Sequence, residues 1–355
     1  MKPDNQQFDS PLPGQLGSNP AVKALSHVYG KAIKGRQTIY DRFAGLSHAL
    51  ERPVISVGGI RAGGTGKTPV SLLVGRHLIN AGFDVAFLSR GYGRPSKQSV
   101  IIKPEEIVNW ELTGDEPYML RNNLRNSWLG IGADRVKNAK KLLPLMPERP
   151  VFVLDDGFQY QKVKRDLDIV CLSENTLSDR MIPAGFLREP LSALERAGIL
   201  FIIGDLARLD ALREVRNRIA DRFTNKKCAV LLQQPLHWVE GRSGRISENL
   251  PIKKPIVVCG IARPERFINM LRSFSIEPYD ILCFKDHHNF KRNDLTPVLQ
   301  NVYSNGIVTT EKDCIRLQSA DFADIPEIWY LKIGLRFADD SSELQFTSEL
   351  NRVTQ

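Results

Sequence analysis

One stretch near the N-terminus constrains this chain more than any other. Val54-Ile55-Ser56-Val57 is a short apolar run, Gly58-Gly59-Ile60-Arg61-Ala62-Gly63-Gly64-Thr65-Gly66 is rich in glycine, and Lys67-Thr68 opens an apolar stretch with helical spacing. Strand, glycine-rich turn, Lys-Thr and helix, in that order, form a phosphate cradle. The glycines let successive backbone N–H groups converge on phosphate oxygens at a helix N-terminus. In such a loop the lysine reaches the β and γ phosphates and the Thr hydroxyl ligates Mg²⁺. Gly63, Gly64, Thr65, Gly66, Lys67 and Thr68 are therefore the candidate nucleotide-binding residues. The strict pattern asks for glycine where Arg61 stands, so the loop is a variant. The rival reading, a fortuitous glycine-rich turn, is opposed by the strand before it and the helix after it.

From Pro53 onward, short apolar runs alternate with helical patterns. That is the arrangement of an α/β fold, a P-loop NTPase-like parallel sheet covered on both faces. Strands are expected at Val54–Val57, Val85–Ser89, Val151–Asp155, Asp168–Leu172, Leu200–Gly204 and Ala229–Gln233. A second, smaller α/β series runs from Ile256–Gly260 through a helix near Glu265–Ser273 to Ile307–Thr310 and Ile328–Ile333. At 355 residues the chain exceeds the usual size of one domain. Gly241–Leu250, rich in Gly, Ser and Arg, is the expected linker. The expected division is a disordered leader over 1–19, a basic amphipathic region over 20–52, a P-loop domain over 53–240 and a smaller α/β domain over 251–340.

Val151-Phe152-Val153-Leu154-Asp155-Asp156-Gly157 is an apolar strand ending in two carboxylates, where a Mg²⁺ bridging the β and γ phosphates is held. A strand ending in Asp is common as a turn or helix cap. After a phosphate loop, the metal reading is the stronger one. Gly114-Asp115-Glu116-Pro117 sets two acids ahead of a helix, and Asp286-His287-His288 sets two imidazoles after an acid. Phosphoryl transfer to an alcohol needs a carboxylate, or a His oriented by one, to accept the hydroxyl proton. Each motif is weak alone, since an Asp-Glu pair usually marks a solvated helix start and a His pair a surface loop. Arg188-Glu189-Pro190, Ser89-Arg90-Gly91-Tyr92-Gly93-Arg94 and Thr310-Glu311-Lys312-Asp313 are candidate phosphate clamps, which surface ion pairing explains equally well.

The formal charge of +9 favours acidic partners without choosing among nucleic acid, anionic lipid and phosphate substrates. No run approaches the roughly 20 apolar residues of a membrane span. The polar leader, with Pro3, Pro11 and Pro13, lacks the apolar centre of a secretory signal, so a cytoplasmic protein is expected. Five cysteines stand singly, with no CxxC pair or Cys/His cluster to suggest zinc or a disulfide framework. Val22, Leu25, Val28, Tyr29, Ala32 and Ile33 recur at helical spacing with Lys23, His27 and Lys31 between them. This basic amphipathic helix either packs on the neighbouring domain or lies in a membrane interface.

Eight segments carry a resemblance to a known family: GGTGKTP (Gly63–Pro69), LSRGYGR (Leu88–Arg94), GDEP (Gly114–Pro117), LDDGFQ (Leu154–Gln159), PAGFLREPLSAL (Pro183–Leu194), GIARPERF (Gly260–Phe267), FKDHH (Phe284–His288) and TEKD (Thr310–Asp313). In this order and spacing, from Leu25 to Leu317, the chain resembles the tetraacyldisaccharide 4′-kinases of Gram-negative bacteria. The resemblance implies an enzyme that uses ATP and Mg²⁺ to phosphorylate the 4′-hydroxyl of a tetraacylated glucosamine disaccharide 1-phosphate in lipid A biosynthesis. It implies catalytic roles for Asp115, His287 and Lys67, and metal roles for Thr68, Asp155, Asp156 and Glu116. Tyr92, Arg135, Arg188 and Glu189 fall at expected substrate positions. The implied partners are the glycolipid and the cytoplasmic surface of the inner membrane, met by residues 21–46, with neither nucleic acid nor an obligate protein partner. Three departures stand out: Gly59 where the family commonly has Asn, Arg61 where it has a small hydroxyl residue, and Tyr160 where it has His. The competing readings are a P-loop NTPase switch of another class, marked by ATPase activity independent of glycolipid, and a membrane-attached non-catalytic nucleotide-binding protein, marked by binding without transfer.

Overall fold

The computed structural model describes residues 19–300, 306–317, 324 and 327–355. Apart from Asn19, the leader expected over 1–19 lies outside them. The strands are β1 (Val54–Gly58), β2 (Asp84–Ser89), β3 (Val100–Ile102), β4 (Trp128–Ile131), β5 (Pro150–Asp155), β6 (Leu167–Leu172), β7 (Ile199–Asp205), β8 (Lys227–Glu240), β9 (Ile246–Ser247), β10 (Ile256–Cys259), β11 (Asp280–Cys283), β12 (Ile307–Thr309) and β13 (Ile328–Phe337). The helices longer than one turn are α1 (Pro20–Arg42), α2 (Lys67–Asn80), α3 (Asp115–Asn123), α4 (Arg135–Leu142), α5 (Leu209–Arg222), α6 (Pro264–Ser273), α7 (Glu311–Leu317) and α8 (Asp340–Thr354).

All described strands belong to one sheet, ordered β11-β10-β12-β13-β8-β7-β6-β1-β5-β2-β4-β3, with β9 paired to β8. At its centre β1 lies between β5 and β6, parallel to both. Alternate residues of these strands fill two different cores. Ile55 and Val57 pack with Val70, Val74 and Leu78 of α2, while Val54 packs with Val136 and Ala139 of α4. Burial on both faces explains why these strands appear in the sequence as unbroken apolar runs.

The two expected series are thus halves of one continuous sheet rather than separate sheets. Strand β8 makes the join. Its first half pairs parallel with β7, and from Leu231 to Glu240 it pairs antiparallel with β13. Opposite Leu236 the ladder slips between Lys332 and Ile333, a β-bulge beside Pro235, which lacks an N–H to donate. The small lobe (β10 to β13) has its own core on each face, around Ile256, Val258 and Ile307 on one side and Val257, Phe267 and Trp329 on the other. After β13 the chain returns, and α8 places Phe346 and Leu350 in the same core as Ile55.

Gly241–Leu250 is not the free linker expected from composition. It turns back as a hairpin, with β9 antiparallel to β8, Gly241 N–H bonded to the Ile328 carbonyl, and the buried Glu240 carboxylate accepting from Ser243. Polar turn chemistry resembles linker composition, and the difference lies in where the side chains bond. Helix α1 begins at Asn19, whose side chain caps Ala21 N–H. Its expected apolar stripe splits: Val22, Tyr29 and Ile33 are partly covered, whereas Leu25 and Val28 are exposed together with Ile39, Phe43 and Leu46.

Candidate active site

The loop after β1 is held from below and from the side. Arg188 N–H bonds the Ile60 carbonyl and Ala62 N–H the Phe186 carbonyl, so the Met181–Glu189 segment braces its first half. Arg61 is buried, pairs with Asp179 at 2.6 Å and lies over the Phe186 ring. It is therefore a brace for this loop, which accounts for an Arg where the strict pattern has Gly. Space at Gly59 is tight: a Cβ there would sit 3.0 Å from the Cys171 carbonyl oxygen and 3.3 Å from Thr65 Oγ1, so a side chain would need these neighbours to give slightly. In the second half, Gly63 and Gly66 adopt φ of +79° and +78°, which only glycine takes without strain. Gly63 and Gly64 face open space, and the buried Thr65 hydroxyl has no partner. Lys67 and Thr68 open α2. A cradle of this shape has room and donors for an anion.

Asp155 and Asp156, adjacent in sequence, meet opposite surroundings. Asp155 is fully buried; its Oδ1 accepts from Ser71 at 2.8 Å and its Oδ2 has no partner. Burial and the nearby Glu116 and Asp156 charges push it up to about 7. Asp156, at φ +47°, is turned toward the cleft, where Arg188 grips both its oxygens at 2.8 and 2.9 Å and Lys67 Nζ stands 3.8 Å away. Although burial opposes it, the Arg188 hydrogen bonds and the Lys67 charge bring Asp156 down to about 2. The unpartnered Asp155 oxygen, the Glu116 charge and the Thr68 hydroxyl are hard oxygen donors of the kind Mg²⁺ takes. No cluster of three or more acidic, His or Cys side chains forms a metal cage among the described residues. A Mg²⁺ here fits as an ion shared between a few protein oxygens, water and a nucleotide.

The second cluster forms where the lobes meet. Asp115, in the first turn of α3, is buried and receives three cations or donors from the small lobe. Arg316 of α7 makes a short ion pair with Oδ2, His287 Nδ1 lies 3.1 Å away and Lys312 Nζ 4.0 Å. Burial opposes ionisation, but the His287 hydrogen bond and the Lys312 and Arg316 charges hold Asp115 well below the usual carboxylate range. His287 adopts φ +60°, its N–H bonds the Gly260 carbonyl, and its Nε2 lies 2.9 Å from Lys312 Nζ. With Nδ1–H donated to Asp115, Nε2 is left as an acceptor. Asp313, fully buried, fixes this corner by accepting from Gly260 N–H and the Thr310 hydroxyl and pairing with Arg316. A separate tie joins the lobes, in which Asn123 of α3 and Lys332 of β13 both bond Glu311.

The other sequence candidates distribute unevenly. Tyr92 is exposed at the cleft with its ring edge-on to His287. Arg135 is buried within electrostatic reach of Asp155 and Asp156 and stacks 4.4 Å above Tyr160, whose hydroxyl also accepts from Arg135 N–H. Tyr160 thus supports Arg135. Glu189 does not open into the cleft, because Gln159 and Arg196 occupy its two oxygens. Sequence reasoning missed Arg316, Ser71 and Arg196. Arg316 was three residues beyond a noted motif, on the same face of what proves to be a helix.

Known proteins are similar to this chain along nearly its whole length. A family model described as LpxK, tetraacyldisaccharide-1-P 4′-kinase, matches residues 19–352. The tetraacyldisaccharide 4′-kinase of Aquifex aeolicus is 34% identical over 298 residues, covering 83% of this chain and 88% of that protein. That of Koribacter versatilis is 31% identical, covering 91% and 96%. A crystal structure of "apo" form LpxK from Aquifex aeolicus in complex with ATP superposes with a TM-score of 0.77 at 28% identity, over 96% of this chain and all of that one. By the family match over nearly its whole length, this chain belongs to the tetraacyldisaccharide-1-P 4′-kinase family.

Proposed function

We propose that this chain transfers the γ-phosphoryl group of ATP to the 4′-hydroxyl of a tetraacylated disaccharide 1-phosphate, the reaction for which its family is named. What supports the reading is a phosphate cradle together with a carboxylate–imidazole pair supplied by two lobes, with Glu116, the neighbour of Asp115, close enough to act on Asp155. Lys67, now against Asp156, shifts to the transferring phosphoryl group, and the Gly63–Thr68 backbone holds the nucleotide phosphates. Thr68, Asp155, Asp156 and Glu116 would hold Mg²⁺, which would supply positive charge against the nucleotide phosphates. Asp115 and His287 act as one coupled unit that takes the hydroxyl proton, with Arg316 and Lys312 keeping Asp115 ionised beforehand. Arg188, Arg135 and Tyr92 line the path of the substrate, and Glu189 keeps Gln159 and Arg196 in place. The test is incubation of purified protein with MgATP and a tetraacylated glucosamine disaccharide 1-phosphate. A product heavier by one phosphate is expected, and glycolipid-independent ATP hydrolysis without that product would overturn the reading.

The same reading includes a seat for α1 on a membrane. A four-chain glycolipid leaves a bilayer at great cost, at about 0.8 kcal/mol per CH₂, so the cleft must come to the headgroup. Helix α1 is tied beside the site by Ser26 to the Met181 carbonyl and by Tyr29 to the Arg188 carbonyl. Its exposed Leu25, Val28 and Ile39 supply insertion, while Lys23, Lys31, Lys34 and Arg36 attract anionic lipid at about 1 kcal/mol each. No described helix is long and apolar enough to cross a membrane. Leu25→Glu with Val28→Glu should abolish flotation with anionic liposomes while leaving ATP binding intact. Equal flotation of both proteins would move the membrane role to another surface.

A further inference from the structure

The small lobe holds a feature that phosphoryl transfer does not use. Cys259 ends β10 and Cys283 ends β11, and the two are directly paired across parallel strands. Their side chains therefore leave the same face of the sheet, with Sγ atoms 3.6 Å apart. In-register neighbours about 4.8 Å apart have the Cα separation a disulfide accepts, and closing the bond to about 2.05 Å needs the sulfurs to approach by only about 1.5 Å. The two thiols are also unlike one another. Cys259 is fully buried, whereas Cys283 is partly exposed.

We propose that Cys259 and Cys283 form a peroxide-reactive dithiol whose oxidation disarms the His287 corner of the cleft. The thiolate of Cys283 attacks one oxygen of a hydroperoxide, giving the sulfenic acid and releasing water or an alcohol once the departing oxygen takes a proton. Cys259 sulfur then displaces the sulfenic hydroxyl, which leaves as water by taking up the Cys259 proton. Two thiols lose two electrons and the peroxide gains them. The Cys259–Cys283 hydrogen bond lowers the Cys283 thiol and, with burial, raises that of Cys259, which matches a nucleophilic and a resolving partner.

Position makes the step consequential. Cys259 is followed by Gly260, whose N–H bonds Asp313 and whose carbonyl receives the His287 N–H. Cys283 is followed by Phe284, whose N–H bonds the Cys259 carbonyl and whose ring stacks on His288. There is little slack at this corner, because even a Cβ on Gly260 would meet Asp313 and His288 atoms at 3.3 Å. Drawing the strand ends together therefore displaces the main chain that fixes His287.

The experiment treats the full-length protein with hydrogen peroxide, with dithiothreitol as the reverse arm. Peptide mapping should find a Cys259–Cys283 disulfide lighter by two hydrogens. Activity should fall by about tenfold and return on reduction. Cys283→Ser and Cys259→Ala should keep basal turnover and lose the reversible inhibition. Thermal unfolding of the variants separates this from misfolding. Inhibition of both variants equal to that of the parent, or peptide maps with peroxide damage elsewhere and this pair still reduced, would overturn the proposal. Because the disulfide is read by mass, its failure is distinct from failure of the kinase reading.

Discussion

Two buried carboxylates, one at each end of the cleft, are held in opposite electrical conditions. Asp155 sits among acids at the end of β5, and the burial and neighbouring charges that push it up to about 7 leave one oxygen idle. Asp115 sits among Arg316, Lys312 and His287 and is ionised far below the usual range. The phosphate end thus keeps one unpartnered carboxylate oxygen beside other acids, although Lys67 and Arg188 hold Asp156, and that oxygen would gain from a cation arriving with the nucleotide. The acceptor end is compensated already, by side chains from the opposite lobe. One end is completed by ligand and the other by the fold, so substitutions at the two should fail in different ways.

The largest contrast is in turnover. Lys67→Ala should lower kcat by about 10³-fold or more, because the lysine stabilises charge only while the phosphoryl group moves. The half-buried side chain bears on no core, so circular dichroism and thermal unfolding should be unchanged. Wild-type-like turnover in that folded variant would refute the cradle assignment.

Next in size is the coupling within the acceptor end. Asp115→Ala and His287→Ala should each lose about 10²-fold or more, and the double variant should be scarcely worse than either. Losses that multiply would show two independent contributions, and the pair would no longer be one unit. This test probes a contact that sequence alone hid. Asp115 and His287 are far apart in the chain, and each motif in isolation resembled a solvated helix start or a surface loop. The phosphate loop was legible because its strand, glycines, Lys67 and helix are contiguous. Arg316 was not, because its value depends on α7 facing α3 across the lobe junction. Strands β4 and β11 escaped notice as four-residue runs without alternation, and the antiparallel β8–β13 pairing is a tertiary fact that periodicity does not carry.

Stability separates the two ends at a smaller scale. Asp115→Asn leaves the buried Arg316 with only Asp313 as counter-charge and should cost about 3 kcal/mol. Asp155→Asn removes a charge from an acidic pocket and should leave the metal-free protein within about 1 kcal/mol of the parent. Urea midpoints without nucleotide or Mg²⁺ measure both, and equal losses would erase the distinction drawn above. The smallest expected effect is at Tyr160→His, which swaps the ring beneath Arg135 and should change stability by about 1 kcal/mol or less. A larger change would mean that Tyr160 does more than support Arg135 beside the two strand-end carboxylates.

The continuity of the sheet through β8 sets how the cleft can breathe. Lobes joined by a loose tether swing freely, but here fourteen residues of one strand run through both, laced to β13 for most of the far half. Such a connection behaves as a leaf spring with a crease at Leu236, where the bulge and Pro235 interrupt the lacing. Any relative movement of the lobes would have to twist this strand, and the crease is where its ladder would yield first. Filling the crease, for example by giving Gly334 a side chain against Leu236, would stiffen the spring and slow exchange of the large substrate more than of the small one.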